Sequence, residues 1–232
     1  MTHVGRVRSH NEDAVFADDA AGLWAIADGM GGHGHGDVAS GYVVEYLGRL
    51  ARMRSAGVAG GDVEQALHQA NAAIQDRALR SGWHAIGATA VVLAADAEPY
   101  WVVWAGDSRA YRWRGGALQR LTRDHSLVEE MIESGAIEAD AARHPQAHVV
   151  TRAIGVEPEV ELERTGGRLA AGDLFLLCSD GLSGCVSDAE IARILQAGGR
   201  PRELAETLTE AALADGAPDN VSVVVVLVCA EE

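Results

Sequence analysis

The sequence contains no lysine, and all 19 of its basic residues are arginine. A P-loop needs a lysine on the β- and γ-phosphates, and a protein kinase needs one on its third strand. Neither standard ATP-phosphate site can therefore be built here. Positive charge is outweighed as well: 34 acidic residues leave a formal net charge of −15, which disfavours nucleic acid and anionic membrane as partners. Cysteine is rare. Cys178, Cys185 and Cys229 show no C-x-x-C spacing, and an odd number with two in apolar strand patterns reads as buried, reduced thiols. Only five prolines occur, with no low-complexity tract, internal repeat or interdomain linker, so one domain over residues 1–232 is expected. The longest apolar run, Val221 to Ala230, contains Ser222 and is too short to cross a bilayer. No charged segment followed by an apolar one opens the chain, so no signal peptide is expected and the reading is cytoplasmic.

Glycine is abundant where the sequence is most unusual. An apolar run from Leu23 to Ala27 ends on Asp28, and five glycines follow between Gly29 and Gly36. Such density costs folding free energy, and a chain tolerates it where backbone must bend tightly or approach something closely. A strand-end carboxylate beside a backbone carbonyl suits a hard cation. The alternative reading is a plain turn, with Asp37 capping the helix that follows.

Val4 to Phe16 reads as two short strands around a polar turn that carries Arg8 and Glu12. Helical spacing of Val43, Tyr46, Leu47 and Leu50 marks a first helix. A second starts at Asp62, with Asp62 and Gln65 as its capping pair. Ala88–Ala95 and Tyr100–Ala105 read as a hairpin joined through 96–99, and Ala110–Arg114 as a further strand. Residues 122–154 are polar and irregular, apart from a short helix over 127–132. They are expected to form a surface flap, with His125, His144 and His148 exposed rather than binding metal. An edge strand is expected at Val160–Glu163 and a buried one at Asp173–Cys178. A helix capped by Ser187 and Glu190 follows, then one opening at Pro201, and a last strand begins after Asp219-Asn220. Strands in adjacent groups and helices in adjacent pairs predict an α+β fold with antiparallel sheets. Sheet packs on sheet, and helices cover both outer faces.

Asp13, Asp28, Asp107, Asp180 and Asp219 all fall where a predicted strand meets a loop. Brought together, they would repel unless cations neutralised them. Mg²⁺ or Mn²⁺ suits such an all-oxygen set. Two ions about 3.5–4 Å apart can share a hydroxide and clamp a phosphoryl group for in-line attack. Arg8 could hold the phosphate oxygens bidentately. Rival chemistries fail on spacing. A cysteine-nucleophile phosphatase needs an arginine six positions after the cysteine, where Gly184 and Ile191 stand instead. There is no Asp-x-Asp-x-Thr/Val stretch, and Gly106-Asp107 lacks the second aspartate of the calcineurin-like pattern. His33 and His35 alternate like a zinc pair, but no further ligand lies at the right spacing.

Arg8-x-x-x-Glu12-Asp13, Ala27 through His33, Gly87-Ala88-Thr89, Ala105 through Arg109, Ser179-Asp180-Gly181 and Asp219-Asn220 occur in that order along nearly the whole chain. Together they resemble the metal-dependent serine/threonine protein phosphatases of type 2C, in their bacterial branch. The resemblance implies a four-layer α-β-β-α sandwich with a metal cleft at one edge. It implies two core Mn²⁺ or Mg²⁺ ions bridged by Asp28, with the Gly29 carbonyl on one and Asp180 and Asp219 on the other. Asp13 would act through metal-bound water, Asp107 with Asp180 would form a weaker third site, and Arg8 would bind phosphate. Arg8, Asp28, Asp180 and Asp219 are thus the expected catalytic set. The activity implied is direct hydrolysis of phosphoserine and phosphothreonine by a metal-bridging hydroxide. The partners implied are phosphorylated proteins and a cognate Ser/Thr kinase, with a monomeric enzyme.

Two departures stand out. Animal relatives carry a histidine after the Asp-Gly, proposed as general acid, where this chain has Met30. Metal-bound water or His33 is left for that role. Only three residues precede Val4, where the family's first strand is often longer. Alternative functions are a phosphatase of phosphorylated anti-anti-sigma factors, whose relatives often carry a sensor domain, and a catalytically silent binding module. No main carboxylate is missing, which disfavours the silent module.

Overall fold

The computed structural model describes residues 1–31, 34–53, 57–95, 98–137 and 149–230. Its strands are short and mostly apolar on both faces, so each sheet must be covered twice. Strands β1 (Thr2–His3), β2 (Asp13–Asp18), β3 (Leu23–Gly31), β4 (Ile86–Ala88), β5 (Ala90–Ala94) and β6 (Tyr100–Ala105) come first. β7 (Arg109–Arg114), β8 (Ala117–Arg120), β9 (Glu163–Gly167), β10 (Leu174–Cys178) and β11 (Val221–Leu227) follow. One sheet runs β2-β3-β5-β6-β9, with β4 alongside the end of β3, and the other runs β1-β11-β10-β7-β8. Every pairing is antiparallel.

Strand alternation divides the core into three layers. In β10, Leu174, Leu176 and Cys178 face the helices, while Phe175 and Leu177 face the other sheet. In β3, Leu23, Ala25 and Ala27 take the helix side, and Trp24 and Ile26 the inter-sheet side. Helices α1 (Gly36–Met53) and α2 (Gly60–Ser81) cover the first sheet through Val43, Leu47, Leu67 and Ile74. Helices α5 (Asp188–Ala197) and α6 (Pro201–Ala214) cover the second through Ile191, Leu195, Leu204 and Leu208. The expected α+β sandwich, helices outside and two antiparallel sheets within, is what forms. Short helices α3 (Leu127–Glu133) and α4 (Asp180–Ser183) complete the elements named here.

Several local expectations need correction. Helix α2 begins at Gly60 rather than Asp62. The Asp62 carboxylate caps backward, accepting the Ala59 N–H at 3.1 Å, so Gln65 is not its partner. The two short strands around the polar turn form as β1 and β2, but further apart than expected: the turn takes up all of Val4 to Glu12, whose polar groups are recruited by the site described below. The edge strand is Glu163–Gly167, paired with β6 across Trp101↔Gly166, rather than Val160–Glu163; Val160 is buried under the helices instead. Of the thiols, only Cys178 is buried: Cys185 is half-buried and Cys229 exposed, as β11 ends before it at Leu227. Asp96 and Ala97 of the expected hairpin turn, and His144 and His148 of the flap, lie outside the described residues. Ser187 accepts the Glu190 N–H at 3.3 Å, as its spacing predicts.

Candidate metal centre

The inter-sheet layer turns polar at one end, and strand alternation shows why. Trp24 and Ile26 of β3 face the opposing sheet, and the next residue of that series is Asp28. Val15 of β2 leads back to Asp13, Phe175 and Leu177 of β10 lead on to Ser179, and Val224 of β11 leads back to Ser222. Asp13 and Asp28 are direct cross-strand partners. Positions that would otherwise bury apolar side chains, each worth roughly 1.5–3 kcal/mol, hold carboxylates and hydroxyls. Stability does not account for that choice.

A cleft of about 660 Å³ opens at this end, lined by Arg8, Asp28, Gly29, Asp107, Asp180 and Asp219 together with backbone and smaller side chains. Asp13 stands behind them, beside Asp28 in the sheet. Every residue singled out for the site is thus brought to one place by both sheets. Burial pushes the Asp28 carboxyl well above its usual range, and Asp13, Asp180, Asp107 and Asp219 push it further. Burial likewise raises Asp13 to about 6, against the lowering effect of hydrogen bonds from Ser222 and Ser179. Asp107 rises to about 7, through burial first and then through Asp180 and Asp124. These are carboxylates that cannot all be ionised without a compensating cation.

The donor set fits such a cation. Asp13 Oδ1 is buried and makes no hydrogen bond, while its Oδ2 accepts two. A buried acceptor left bare costs free energy unless something positive faces it. All the candidate ligands are oxygens, which suits Mg²⁺ or Mn²⁺ rather than zinc. Among the described residues, no three His, Cys, Asp or Glu side chains are already drawn into the shell of one ion, and the carboxylates ring the cleft instead.

Backbone packing fixes the glycine loop. A Cβ at Gly29 would stand 2.2 Å from the Gly36 carbonyl oxygen and 2.6 Å from that of Glu12, so only glycine allows this approach. Glu12 ties the loop together: its carbonyl accepts the Gly29 N–H at 3.2 Å, and its Oε1 accepts the Gly36 N–H at 2.8 Å. The start of α1 is therefore satisfied by Glu12. Asp37, the cap in the alternative reading, accepts only from Val38 (2.9 Å) among backbone donors and is exposed.

Other residues hold the candidate ligands in place. Thr89 Oγ1 accepts the Asp28 N–H at 3.2 Å and pairs with Ser108 Oγ at 2.8 Å. Asn220 accepts the Glu12 N–H at 2.8 Å and donates to the carbonyls of Val4 and His10, which fastens the segment carrying Arg8. Arg8 Nη2 lies 2.7 Å from Asp219 Oδ2 with its side chain half-exposed, a geometry in which an ion pair contributes little by itself.

His125 is buried, contrary to expectation. Its Nδ1 accepts the Gly106 N–H at 3.1 Å and its own backbone N–H returns a bond to the Gly106 carbonyl at 2.9 Å, clamping the turn that presents Asp107. Its Nε2 lies 3.2 Å from Glu163 Oε1. The base of the flap is thus packed, not merely superficial. His35 stacks on Trp83 with centroids 4.0 Å apart, and His33, its suggested zinc partner and a candidate acid, lies outside the described residues. Ser179, Ser222 and Asn220 carry no role in the sequence reading. The alternation that takes Leu177 to Ser179 and Val224 to Ser222 was the available signal for the two serines.

Burial pushes the Cys178 thiol up to about 12, which leaves no thiolate to act as nucleophile. Cys178→Ser and Cys185→Ser should each keep turnover of p-nitrophenyl phosphate within about threefold, as expected where thiolate chemistry plays no part. Trapping a phosphocysteine would contradict this.

Comparison with known proteins agrees with the geometry. A family model for protein phosphatase 2C matches residues 3–217. The serine/threonine protein phosphatase PstP of Mycobacterium tuberculosis is 39% identical over 223 residues; the match covers 95% of this chain but only 43% of that protein. The serine/threonine phosphatase stp of Listeria innocua is 33% identical over 234 residues, covering 97% of this chain and 93% of the relative. A crystal structure of the PstP catalytic domain in complex with two manganese ions superposes with a TM-score of 0.87 at 38% identity, over 99% of this chain and 96% of that one. Family model, relatives and superposed fold agree, and the chain belongs to the protein phosphatase 2C family, alongside bacterial serine/threonine phosphatases.

Proposed function

We propose that this chain is a metal-dependent phosphoprotein phosphatase that hydrolyses phosphoserine and phosphothreonine. One observation carries the reading: buried, mutually repelling aspartates from both sheets end at a single cleft with Arg8 at its wall. Asp28, the Gly29 carbonyl, Asp180 and Asp219 would hold two divalent ions, with Asp28 shared between them. Asp13 would contribute through water, and Asp107 with Asp180 would offer a weaker third position. When bound, Mn²⁺ or Mg²⁺ supplies an activated water for direct in-line attack and offsets charge on the phosphoryl oxygens.

The chain's own groups do the rest. Arg8, on a segment that Asn220 pins, offers a guanidinium fork matched to phosphate oxygens. Thr89 holds the backbone beneath Asp28, and Glu12 holds the glycine loop. Met30 lines the cleft and has no proton to give, so no side chain is assigned as general acid. Residues 122–154 are assigned as the flap within one catalytic domain, and at its base His125 clamps the turn that presents Asp107.

The partners that fit are phosphorylated proteins and the Ser/Thr kinase whose work the enzyme reverses, met by a cytoplasmic monomer. No helix among the described residues is long and apolar enough to cross a membrane. A phosphothreonine peptide and p-nitrophenyl phosphate should both turn over with Mn²⁺ and stop with excess EDTA. Full activity in chelator, or Mn²⁺ binding without turnover as in a silent module, would overturn the proposal.

A further inference from the structure

Beneath the carboxylate ring, two buried serine hydroxyls converge on one oxygen of Asp13. Ser222 Oγ lies 2.6 Å from Asp13 Oδ2 and Ser179 Oγ lies 3.0 Å from the same atom. Ser222 Oγ is also 2.8 Å from Thr2 Oγ1, which receives the Asn11 amide at 2.8 Å. The Ser222 N–H donates to Ser179 Oγ at 3.0 Å.

Proton bookkeeping fixes most of the directions. Ionised Asp13 only accepts, so each serine must give it its single hydroxyl proton. Ser222 then accepts from Thr2, and Thr2 from Asn11. Both serines are completely buried. One oxygen of Asp13 is held by two donors, and the other, Oδ1, is buried and makes no hydrogen bond.

We propose that Ser222, assisted by Ser179, is a positioning residue for the metal centre. By taking Oδ2, it fixes the carboxylate plane and reserves Oδ1 for the ion-bound shell. This rests on the functional reading above and adds to it a role for residues that touch neither substrate nor ion. The two serines come from β11 and the end of β10, in the sheet opposite to Asp13, so the same bonds set the spacing between the sheets beneath the cleft. Loss of an outer-shell partner typically costs about 10–100-fold in metal affinity or activity. Ser179 keeps one bond when Ser222 is lost, so the lower end of that range applies.

The test is calorimetric titration of metal-free protein with Mn²⁺. Ser222→Ala should raise the dissociation constant about tenfold. Ser222→Thr and Ser222→Val give side chains of the same shape, with a hydroxyl in the one where the other has a methyl. Thr should bind within about twofold of wild type, and Val should bind as weakly as Ala. In an Asp13→Asn background, Ser222→Ala should change affinity by less than about twofold, because non-additivity marks residues acting through one another. A general packing role would instead weaken binding equally in both backgrounds. Equal affinity of the Thr and Val variants, or a Ser222→Ala effect undiminished in the Asp13→Asn background, would overturn the assignment. If the serine variants misfold, Ser179→Ala with and without Asp13→Asn gives the same cycle. Wild-type protein that takes up no Mn²⁺ brings down the functional reading and this one with it, whereas normal wild-type uptake with additive variants brings down this one alone.

Discussion

Asp28→Asn should lower turnover by on the order of 10³–10⁴-fold, the scale of losing one member of a catalytic set, while the fold survives. The change preserves shape and keeps the backbone bond from Asp28 N–H to Thr89. It removes a buried charge that burial and four neighbouring carboxylates disfavour. The metal-free variant should therefore melt at a higher temperature than metal-free wild type, even as it loses activity. Opposite signs for stability and activity are expected where a site holds like charges for function. Circular dichroism in EDTA checks the first half and phosphopeptide kinetics in Mn²⁺ the second. A rate near wild type would mean that Asp28 is not at the centre of the chemistry.

The second large effect is the pH dependence of stability without metal. In the folded protein Asp13 rises to about 6 and Asp107 to about 7, from an ordinary value of 3.8. Between pH 4 and those values the native state keeps protons that the unfolded chain has released. Stability then falls with rising pH, since the slope follows unfolded minus native proton uptake. The contribution is full below about pH 4 and is lost as pH passes through 6 to 7. Each pKa unit is worth about 1.4 kcal/mol, so these two groups shift stability by several kcal/mol across that window. The melting temperature of EDTA-treated protein should drop between pH 5 and pH 8. Saturating Mn²⁺ should flatten or reverse the trend, because the ion binds ionised ligands, and excess ligand at 100 times its dissociation constant adds about 2.7 kcal/mol. A metal-free melting temperature that climbs steadily from pH 5 to pH 8 would contradict the buried-carboxylate picture.

Much of this is legible in the sequence, and for physical reasons. Apolar runs ending abruptly on Asp28 and Asp180 announce a functional strand end, because a core strand has no other use for a carboxylate there. The glycine at 29 announces close approach, and the close neighbour proves to be Gly36. Layer order followed from grouped strands and paired helices. What stayed hidden depends on contacts between residues far apart in the chain. Nothing local to His125 says that its ring will accept from Gly106, nor that polar residues 122–126 will pack as they do. Glu12 replaces Asp37 at the start of α1 only because β2 brings it there. The polar turn between the first two strands proves longer than its sequence suggests, because Asn220, from the far end of the chain, claims the carbonyls of Val4 and His10. Ser179 and Ser222 were hidden differently. Serine beside a motif aspartate reads as a turn or strand filler, and only pairing across the sandwich joins both to Asp13.

The most direct measurement is a count of ions. Titration calorimetry of EDTA-stripped protein with Mn²⁺ should give two tight equivalents per chain, as a two-metal centre requires. Asp28→Asn should retain fewer than one, since its carboxylate would bridge both. Two undiminished tight sites in Asp28→Asn, or none in the wild type, would contradict an ion pair held at Asp28.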